Sequence, residues 1–358
     1  MMMPHQEVIS LHKRLVRIPS LSGEERVVAD FVEAHVLERG IETRRLDDNV
    51  YFWIGDGDHT LLLTTHLDVV PPSADHPFDP FDAVEQDGRI YGRGSVDAKA
   101  SAAAMTVALL SLARDGFRPQ NGRVLVALTT CEETGGQYNG LEALRPHLPP
   151  ISAALVGEPT NLQPCVAQKG LLILKVAAHG RSAHAARSHL GDNAIERAAR
   201  DVLRCASLEF DREDPFLGPP TVTVTTIEGG TARNVVPDSC RFFLDIRSTP
   251  AYSHDELIDI VSNALESDVS VHSRRIVPVS TPLDTPIVQA CLRALPGARP
   301  FGSPTASDWI FLSDVPTVKI GPGSSELSHT GAEHVEIAEL HRAVDAYRAV
   351  ITEYFASI

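Results

Sequence analysis

The chain has 358 residues, 43% of them hydrophobic and 22% charged, which is typical of a globular protein with room for two domains. Its 32 basic and 47 acidic residues give a formal net charge of −15, and no run of Lys or Arg exceeds a pair, so we expect no nucleic-acid ligand. The sequence has no secretory signal pattern and no apolar run long enough to span a bilayer, which predicts a soluble, cytoplasmic protein without membrane contact.

The first part of the chain is predicted to alternate helices with short buried strands. A helix with apolar residues from Val27 to Leu37 is expected to begin at the start signal Ser22-Gly-Glu-Glu. Apolar, β-rich runs with little alternation predict buried strands at 60–65, 124–130 and 153–156. An alanine-rich helix is expected at 98–113. This alternation predicts an α/β domain with a mixed, largely parallel sheet.

The middle of the chain has a different pattern. Its predicted elements are a strand at 172–178, a helix at 192–208, strands at 221–227 and 240–246, a helix at 254–265 and a strand at 269–277. This βαββαβ order indicates a compact α+β domain. Because a buried strand returns at 317–320 and a last helix at 337–354, we expect an insertion. The predicted division is 1–168 and 278–358 for the first domain and 169–277 for the inserted domain.

Candidate metal ligands follow the predicted strands of the first domain. In open α/β sheets, ligands bind outside the carboxyl ends of the strands. Those that follow strands are His66, Asp68, Glu132, Glu133, Glu158 and His329, and one more candidate, Asp97, lies at the entrance to the alanine-rich helix. We expect them to converge on one cleft.

The ligand types favour one or two divalent cations of the zinc kind, because imidazole and carboxylate suit such ions. The five cysteines are scattered without a C-x-x-C pair, which predicts reduced thiols that take no part in the site. Two cations close together require an anionic bridge, for which Asp97 is the candidate. His66 and Asp68 are two residues apart and should face the same way, so Asp68 is expected to orient the imidazole.

The adjacent pair Glu132 and Glu133 suggests a catalytic base. Neighbouring residues on an extended stretch point in different directions, so one can bind a metal while the other stays free. Zinc lowers the pKa of its water to about 7, and a nearby carboxylate can carry the proton to a leaving amine. This chemistry hydrolyses amides. The sequence has no G-x-S-x-G motif, which removes the simplest serine-hydrolase interpretation.

Seven motifs, in chain order, resemble those of the co-catalytic zinc peptidase family M20. They are HLDVVP (66–71), GRGSVDAKA (92–100), CEETGG (131–136), GEPT (157–160), HGRSAHAA (179–186), ARNVVPD (232–238) and SHTGAEHV (328–335). The resemblance implies two Zn²⁺, which Co²⁺ can replace in vitro. One would be held by His66, Asp97 and Glu158, and the other by Asp97, Glu133 and His329. Glu132 would be the general base, and Asp68 the carboxylate behind His66.

The resemblance also implies roles in the inserted domain, which corresponds to the family's lid and dimerisation domain. His184 would reach the active site of the partner in a homodimer and stabilise the oxyanion. Asn234 and Arg247 would contact the substrate, with the guanidinium of Arg247 gripping a carboxylate. The alternatives are that His184 donates to a carbonyl of its own loop and that Arg247 belongs to a surface ion pair.

The substrate expected from the resemblance is a small N-acyl amino acid. The family includes acetylornithine deacetylase, succinyl-diaminopimelate desuccinylase, aminoacylase and glutamate carboxypeptidase. Glu158 in GEPT resembles the deacetylase and desuccinylase branch, and the stretches 302–309 and 320–330 are most similar to acetylornithine deacetylases. This implies N-acetyl-L-ornithine and arginine biosynthesis. The alternatives are acetylcitrulline, acetyllysine or a succinylated amino acid, a di- or aminopeptidase activity, and a non-catalytic metal-binding protein.

Overall fold

The computed structural model of the protein describes residues 3–134 and 138–358, so Gly135 and Gly136 of the CEETGG motif lie outside the described residues. The chain divides into a first unit, Met1–Val166, Thr281–Phe301 and Ser307–Ile358, and a second unit, Ala167–Ser280 and Gly302–Ala306. The predicted division places 302–306 in the first domain. In the structure this segment belongs to the second unit because it packs closely there: a Cβ on Gly302 would lie 2.6 Å from the Cδ2 atom of Leu217.

Eight α-helices lie within the described residues. They are α1 Pro4–Val16, α2 Arg26–Leu37, α3 Lys99–Arg114, α4 Gly140–Leu144, α5 Ala194–Ala206, α6 His254–Ala264, α7 Pro286–Ala294 and α8 Ile337–Ala356. Helix α2 begins four residues after Ser22, and its cap position is Glu25. The predicted start at Ser22 is therefore wrong, and the hydroxyl of Ser22 donates instead to Asp68. Among the described helices, none combines the length and the apolar character needed to cross a membrane.

The strands follow in chain order. They are β1 Thr43–Leu46, β2 Asn49–Ile54, β3 His59–His66, β4 Val84–Gln86, β5 Arg89–Tyr91, β6 Gly122–Thr129, β7 Ile151–Val156, β8 Cys165–Gln168, β9 Gly170–His179, β10 Ala183–His184, β11 Thr221–Gly229, β12 Val235–Val236, β13 Ser239–Ser248, β14 Asp268–Ile276, β15 Val279–Ser280, β16 Phe301–Ser303, β17 Thr317–Lys319 and β18 His334–Glu336.

A mixed, largely parallel sheet forms the centre of the first unit, as predicted. Its strand order is β1-β2-β6-β3-β7-β17-β8. Strand β3 pairs in parallel with β6 and β7, and β7 pairs in parallel with β17. The outer pairs β1–β2, β2–β6 and β17–β8 are antiparallel. The parallel strands therefore deliver their carboxyl ends to one edge of the sheet.

Helix α3 lies in the interior of the first unit. Every residue from Lys99 to Leu112 is buried. The helix contacts α1 and α8 as well as strands β3 and β6. Because the helix is buried on all sides, it is mostly apolar all round rather than on one face, and its alanines favour the helix and allow close approach. The N-terminus of α3 is thereby fixed beside the carboxyl ends of the sheet.

The second unit follows the predicted order β9-α5-β11-β13-α6-β14, with a short antiparallel pair, β10–β12, in addition. Its antiparallel sheet has the order β11-β13-β9-β14. Apolar side chains of the sheet, including Leu174 and Phe242, pack with those of α5 and α6, including Ala198 and Val261, in one core. Alternating burial along β9 and β13 is the pattern expected of a sheet that has one face on a core.

Candidate active site

The predicted ligands of the first unit meet at the carboxyl edge of its parallel sheet. His66 is the last residue of β3, Glu158 lies two residues beyond β7, and Asp97 comes two residues before α3. Glu133 follows β6 after a turn. His329 lies in the loop after β17, where its backbone has a φ of 65°. Three separate strands and two loops thus contribute to one cluster.

The first ligand group consists of His66, Asp97 and Glu158. The Nε2 atom of His66 is 3.2 Å from Oδ1 of Asp97 and 3.9 Å from Oε1 of Glu158. The other ring nitrogen, Nδ1, donates to the main-chain carbonyl of Asp68 at 2.9 Å. That bond fixes the ring so that Nε2 faces the carboxylates, as metal-binding histidines require. The imidazole is only 1% exposed.

The second ligand group consists of Asp97, Glu133 and His329. The Nε2 atom of His329 is 2.9 Å from Oε2 of Glu133 and 3.7 Å from Oδ2 of Asp97. Asp97 therefore belongs to both groups, with one oxygen toward each histidine. In contrast to His66, the side chain of His329 is 51% exposed. The predicted sharing of Asp97 agrees with this geometry.

The carboxylate of Asp68 lies beside the His66 ring, where it was expected, and has further partners. It lies 3.4 Å from Nδ1 of His66, farther than the carbonyl of the same residue. Its oxygens also accept the main-chain N–H groups of Glu132 and Glu133, at 3.1 Å and 3.0 Å, and the hydroxyl of Ser22, at 2.7 Å. Asp68 thus holds the turn that carries the two glutamates.

Glu132 and Glu133 lie on this turn rather than on an extended continuation of β6. The strand ends at Thr129, and Cys131 has a φ of 57°. The expectation that the two residues lie on an extended stretch is therefore wrong. Both carboxylates nevertheless reach the cluster, and each has an oxygen within 4.8 Å of a ring nitrogen of His66.

The loop before Asp97 is shaped by close packing. Gly94 has a φ of 79°, and a Cβ atom there would lie 2.5 Å from Cγ1 of Val69. Only glycine satisfies both conditions. The peptide bond between Asp97 and Ala98 is cis. Gly94 of the GRG sequence is therefore required by the local backbone and packing.

Burial and mutual repulsion raise the pKa of two glutamates in the cluster. Burial raises the pKa of Glu158 to about 8, and the Asp97 carboxylate adds to this effect. Burial also raises the pKa of Glu132 well above its usual range; Glu158 adds to that shift, whereas His66 opposes it. Burial alone would lower the pKa of His66, but hydrogen bonds to Asp68 and Asp97 raise it well above its usual value. The cluster therefore favours bound positive charge.

The donor set fits two divalent cations. Each ligand group offers one imidazole nitrogen and two carboxylate oxygens, all within 4.8 Å of one another. Imidazole and carboxylate in this ratio suit zinc and related ions. Cations there would also neutralise the carboxylates whose crowding raises the pKa of Glu158.

Asp308 is a buried neighbour of the cluster that sequence reasoning missed. Its carboxylate accepts a hydrogen bond from the side-chain amide of Asn139 at 2.7 Å. Burial raises its pKa to about 6. The residue lies within the 302–309 stretch, whose resemblance to acetylornithine deacetylases gave this acid no role. The available signal was a single acid in an otherwise uncharged stretch, Gly302 to Trp309.

His184 and Asn234 lie close together within the second unit. The N–H of Ala185 donates to the carbonyl of Asn234 at 2.9 Å, and the two short strands β10 and β12 pair here. Nδ1 of His184 accepts the N–H of Ala186 at 3.1 Å, so the ring proton resides on Nε2. The exposed imidazole can therefore donate from Nε2. Within its own loop the ring accepts a hydrogen bond at Nδ1, so the alternative in which it donates to a carbonyl of that loop is not what the structure shows.

Arg247 forms an ion pair with its neighbour on β13. Its Nε atom is 2.9 Å from Oδ1 of Asp245 and its Nη2 atom is 3.2 Å from Oδ2. The side chain is 43% exposed. The surface ion pair considered as the alternative is thus present, and Asp245 occupies the Nε and Nη2 edge of the guanidinium.

The sequence pattern of the family described as Peptidase family M20/M25/M40 matches residues 62–353. A probable carboxypeptidase of Aspergillus terreus is 32% identical, over 96% of this chain and 85% of its own length. A succinyl-diaminopimelate desuccinylase of Dinoroseobacter shibae is 30% identical, over 97% of this chain and 99% of its own length.

Two solved structures share the fold. Aminopeptidase PepT from Bacillus cereus superposes with a TM-score of 0.83 at 23% identity, covering 98% of this chain and 99% of that one. The YXEP protein of Bacillus subtilis, described as a dinuclear metal binding peptidase of the M20 family, has a TM-score of 0.73 at 17% identity and covers 98% of each chain.

Proposed function

The chain belongs to peptidase family M20/M25/M40, a family of metal-dependent amidohydrolases, and from this premise we propose that it removes the acyl group from an N-acyl amino acid. The observation that carries the proposal is the pair of ligand groups that share Asp97, with the carboxylate of Glu132 beside them. Two cations and a free base are the requirements of amide hydrolysis by this kind of site. The proposed metal is Zn²⁺, with Co²⁺ as a substitute in vitro.

The proposed reaction gives Glu132 the proton transfers. When bound, two divalent cations polarise the scissile carbonyl and make a water molecule more acidic. Glu132 takes a proton from the attacking water molecule while the oxygen of that water bonds to the carbonyl carbon. The same carboxyl group then gives the proton to the amine nitrogen as the C–N bond breaks.

The second unit is proposed to supply an oxyanion donor. His184 carries its proton on Nε2 and is exposed, which are the properties such a donor needs. We place it in the active site of the partner within a homodimer made through the second unit. Mixing His184→Ala protein with Glu132→Ala protein tests this, because some mixed dimers would have one complete site. Activity should reappear after subunit exchange, and its absence would contradict action across the interface.

The proposed substrate is N-acetyl-L-ornithine, with Arg247 and Asn234 as substrate contacts. This choice is supported by the stretches 302–309 and 320–330 and by Glu158. A succinylated amino acid is the second candidate, because the desuccinylase relative matches nearly the whole of both chains. Both substrates carry a carboxylate beside the scissile amide, which an Arg could bind in bidentate fashion.

The test is a substrate panel with the Zn²⁺- or Co²⁺-loaded protein. Amine release is measured from N-acetyl-L-ornithine, acetylcitrulline, acetyllysine, succinyl-diaminopimelate and a dipeptide, with Glu132→Gln protein as the blank. We expect the highest kcat/KM for acetylornithine. A preference for the succinylated compound would support the second candidate. Faster cleavage of the dipeptide would overturn deacylation in favour of peptidase activity, and no turnover of any compound would favour a non-catalytic metal-binding protein.

A further inference from the structure

A buried ion pair lies behind the second ligand group and takes no part in the proposed proton transfers. The side chains of Arg93 and Glu333 are 2% and 0% exposed, and Nη1 of the arginine donates to Oε2 of the glutamate. The two residues are 240 positions apart in the chain. At this burial neither side chain is available to contact a substrate.

Both members of the pair bond to the main chain of metal ligands. Oε1 of Glu333 accepts the N–H of Val96 at 3.1 Å and the N–H of Asp97 at 3.2 Å. Nη2 of Arg93 donates to the carbonyl of His329 at 3.4 Å. The pair therefore connects the backbone of Asp97 to the backbone of His329.

A second main-chain bond ties the same two loops together. The N–H of Gly92, next to the arginine, donates to the carbonyl of Glu333 at 3.2 Å. The loop before α3 and the loop after β17 are thus joined by both side chains and backbone. No strand or helix contains Asp97 or His329 among the described residues. These bonds take the place of a regular element.

The energetics favour a positioning role over a stabilising one. Removing two charges from water costs more than their attraction returns in many proteins, so a buried pair adds little stability compared with apolar side chains of the same volume. The hydrogen bonds of this pair are directed at the two loops that carry ligands. The first ligand group depends less on it, since His66 and Glu158 are positioned by β3 and β7.

We propose that Arg93 and Glu333 are positioning residues that set the separation of Asp97 and His329, and so determine the affinity of the second ligand group for its cation. This inference rests on the proposed function, because it takes the two groups to be cation sites. It assigns the pair a selective effect: the second cation should depend on it strongly, and the first should not.

The test is calorimetric titration of the metal-free Glu333→Gln protein with Zn²⁺, repeated with Co²⁺ to record the absorption spectrum of each bound ion. A glutamine keeps the shape but cannot pair with the guanidinium charge. We expect the second cation to bind about 10- to 100-fold more weakly, as is usual when a partner of a ligand is removed, and the first to change by less than about threefold. His329→Ala protein identifies which binding phase belongs to the second group.

A control is Glu7→Gln, which breaks a different ion pair of the same unit, a partly buried one between Glu7 of α1 and Arg39 just beyond α2. It should leave both cation affinities unchanged. Arg93→Lys is the second test variant, because a lysine keeps a positive charge near Glu333 but lacks the fork that reaches His329 as well. It should weaken the second cation while the first stays bound, even if the glutamine variant does not fold.

Three results would overturn the inference. They are unchanged affinity for the second cation, equal weakening of both cations, and loss of folded protein in both variants, since the pair would then hold the fold instead of the site. Failure of the proposed function is distinguishable from these results. In that case the wild-type protein itself would not bind two cations.

Discussion

The first and second ligand groups share Asp97 but differ in how the chain holds their other members. In the first group, His66 and Glu158 lie at the ends of paired parallel strands, and His66 is buried. In the second group, His329 is half exposed in a loop, and Glu133 lies on a turn that Asp68 fixes. A residue at the end of a strand is held in place by the hydrogen bonds between the paired strands. A loop ligand needs hydrogen bonds from elsewhere in the chain, which the structure supplies through Asp68, Arg93 and Glu333.

Glu132 lies near both groups, and replacing it tests whether the residue acts as a base or as a metal ligand. We expect Glu132→Gln to lower kcat about 10²- to 10⁴-fold, because an amide cannot take up the proton of the attacking water. Metal content, measured by atomic emission, should stay at the wild-type value. The exposed Glu38→Gln is the control for loss of one surface charge. Loss of a bound cation, or retention of more than about a tenth of the activity, would contradict the assignment.

The two histidines should differ in their effect on stability. In metal-free protein, His66→Ala leaves Asp68 and Asp97 buried without their imidazole, so we expect the free energy of unfolding to fall by about 3 to 5 kcal/mol. His329→Ala should cost less than about 1 kcal/mol, since half of that side chain is in water. Urea unfolding of both variants gives the comparison. Equal losses would show that the two groups are held equally, and the contrast between strand-end and loop ligands would fail.

Ser22 provides the smallest expected effect. Its hydroxyl is one of three donors to the carboxylate of Asp68, so Ser22→Ala should lower the free energy of unfolding by about 1.5 kcal/mol. The looser turn should reduce kcat by less than about tenfold, which corresponds to about 1.4 kcal/mol, while cation affinity in the first group stays unchanged. Ser22→Thr keeps the hydroxyl and is the control. An unchanged kcat together with unchanged stability would indicate that the bond is dispensable.

Much of the fold could be predicted because its strands are buried, apolar and well separated. The runs at 60–65 and 153–156 correspond to β3 and β7, and the ligands that follow them could be found by position alone. Helix α1 was missed although Val8, Leu11 and Leu15 have helical spacing and are buried. The helical pattern of α1 was therefore present in the sequence and could have been recognised.

The supporting contacts could not be predicted, because they join residues that are far apart in the chain. Ser22 begins a sequence typical of a helix start, yet its hydroxyl donates to the carboxylate of Asp68, 46 positions away. The sequence Gly92-Arg-Gly94 gives no indication that its arginine pairs with Glu333. Glu132 and Glu133 were recognised, but their orientation depends on the turn at Cys131 and on Asp68. Local patterns identify residue types, whereas side-chain direction depends on the tertiary fold.

The most direct test of a shared two-cation site is a crystal structure of the Zn²⁺-loaded protein with anomalous scattering recorded at the zinc absorption edge. We expect two peaks on either side of Asp97, one bonded to His66 and Glu158 and the other to Glu133 and His329. Glu132 should bond to neither ion. A single peak, a peak that does not involve Asp97, or a Glu132 carboxylate bound directly to zinc would contradict this expectation.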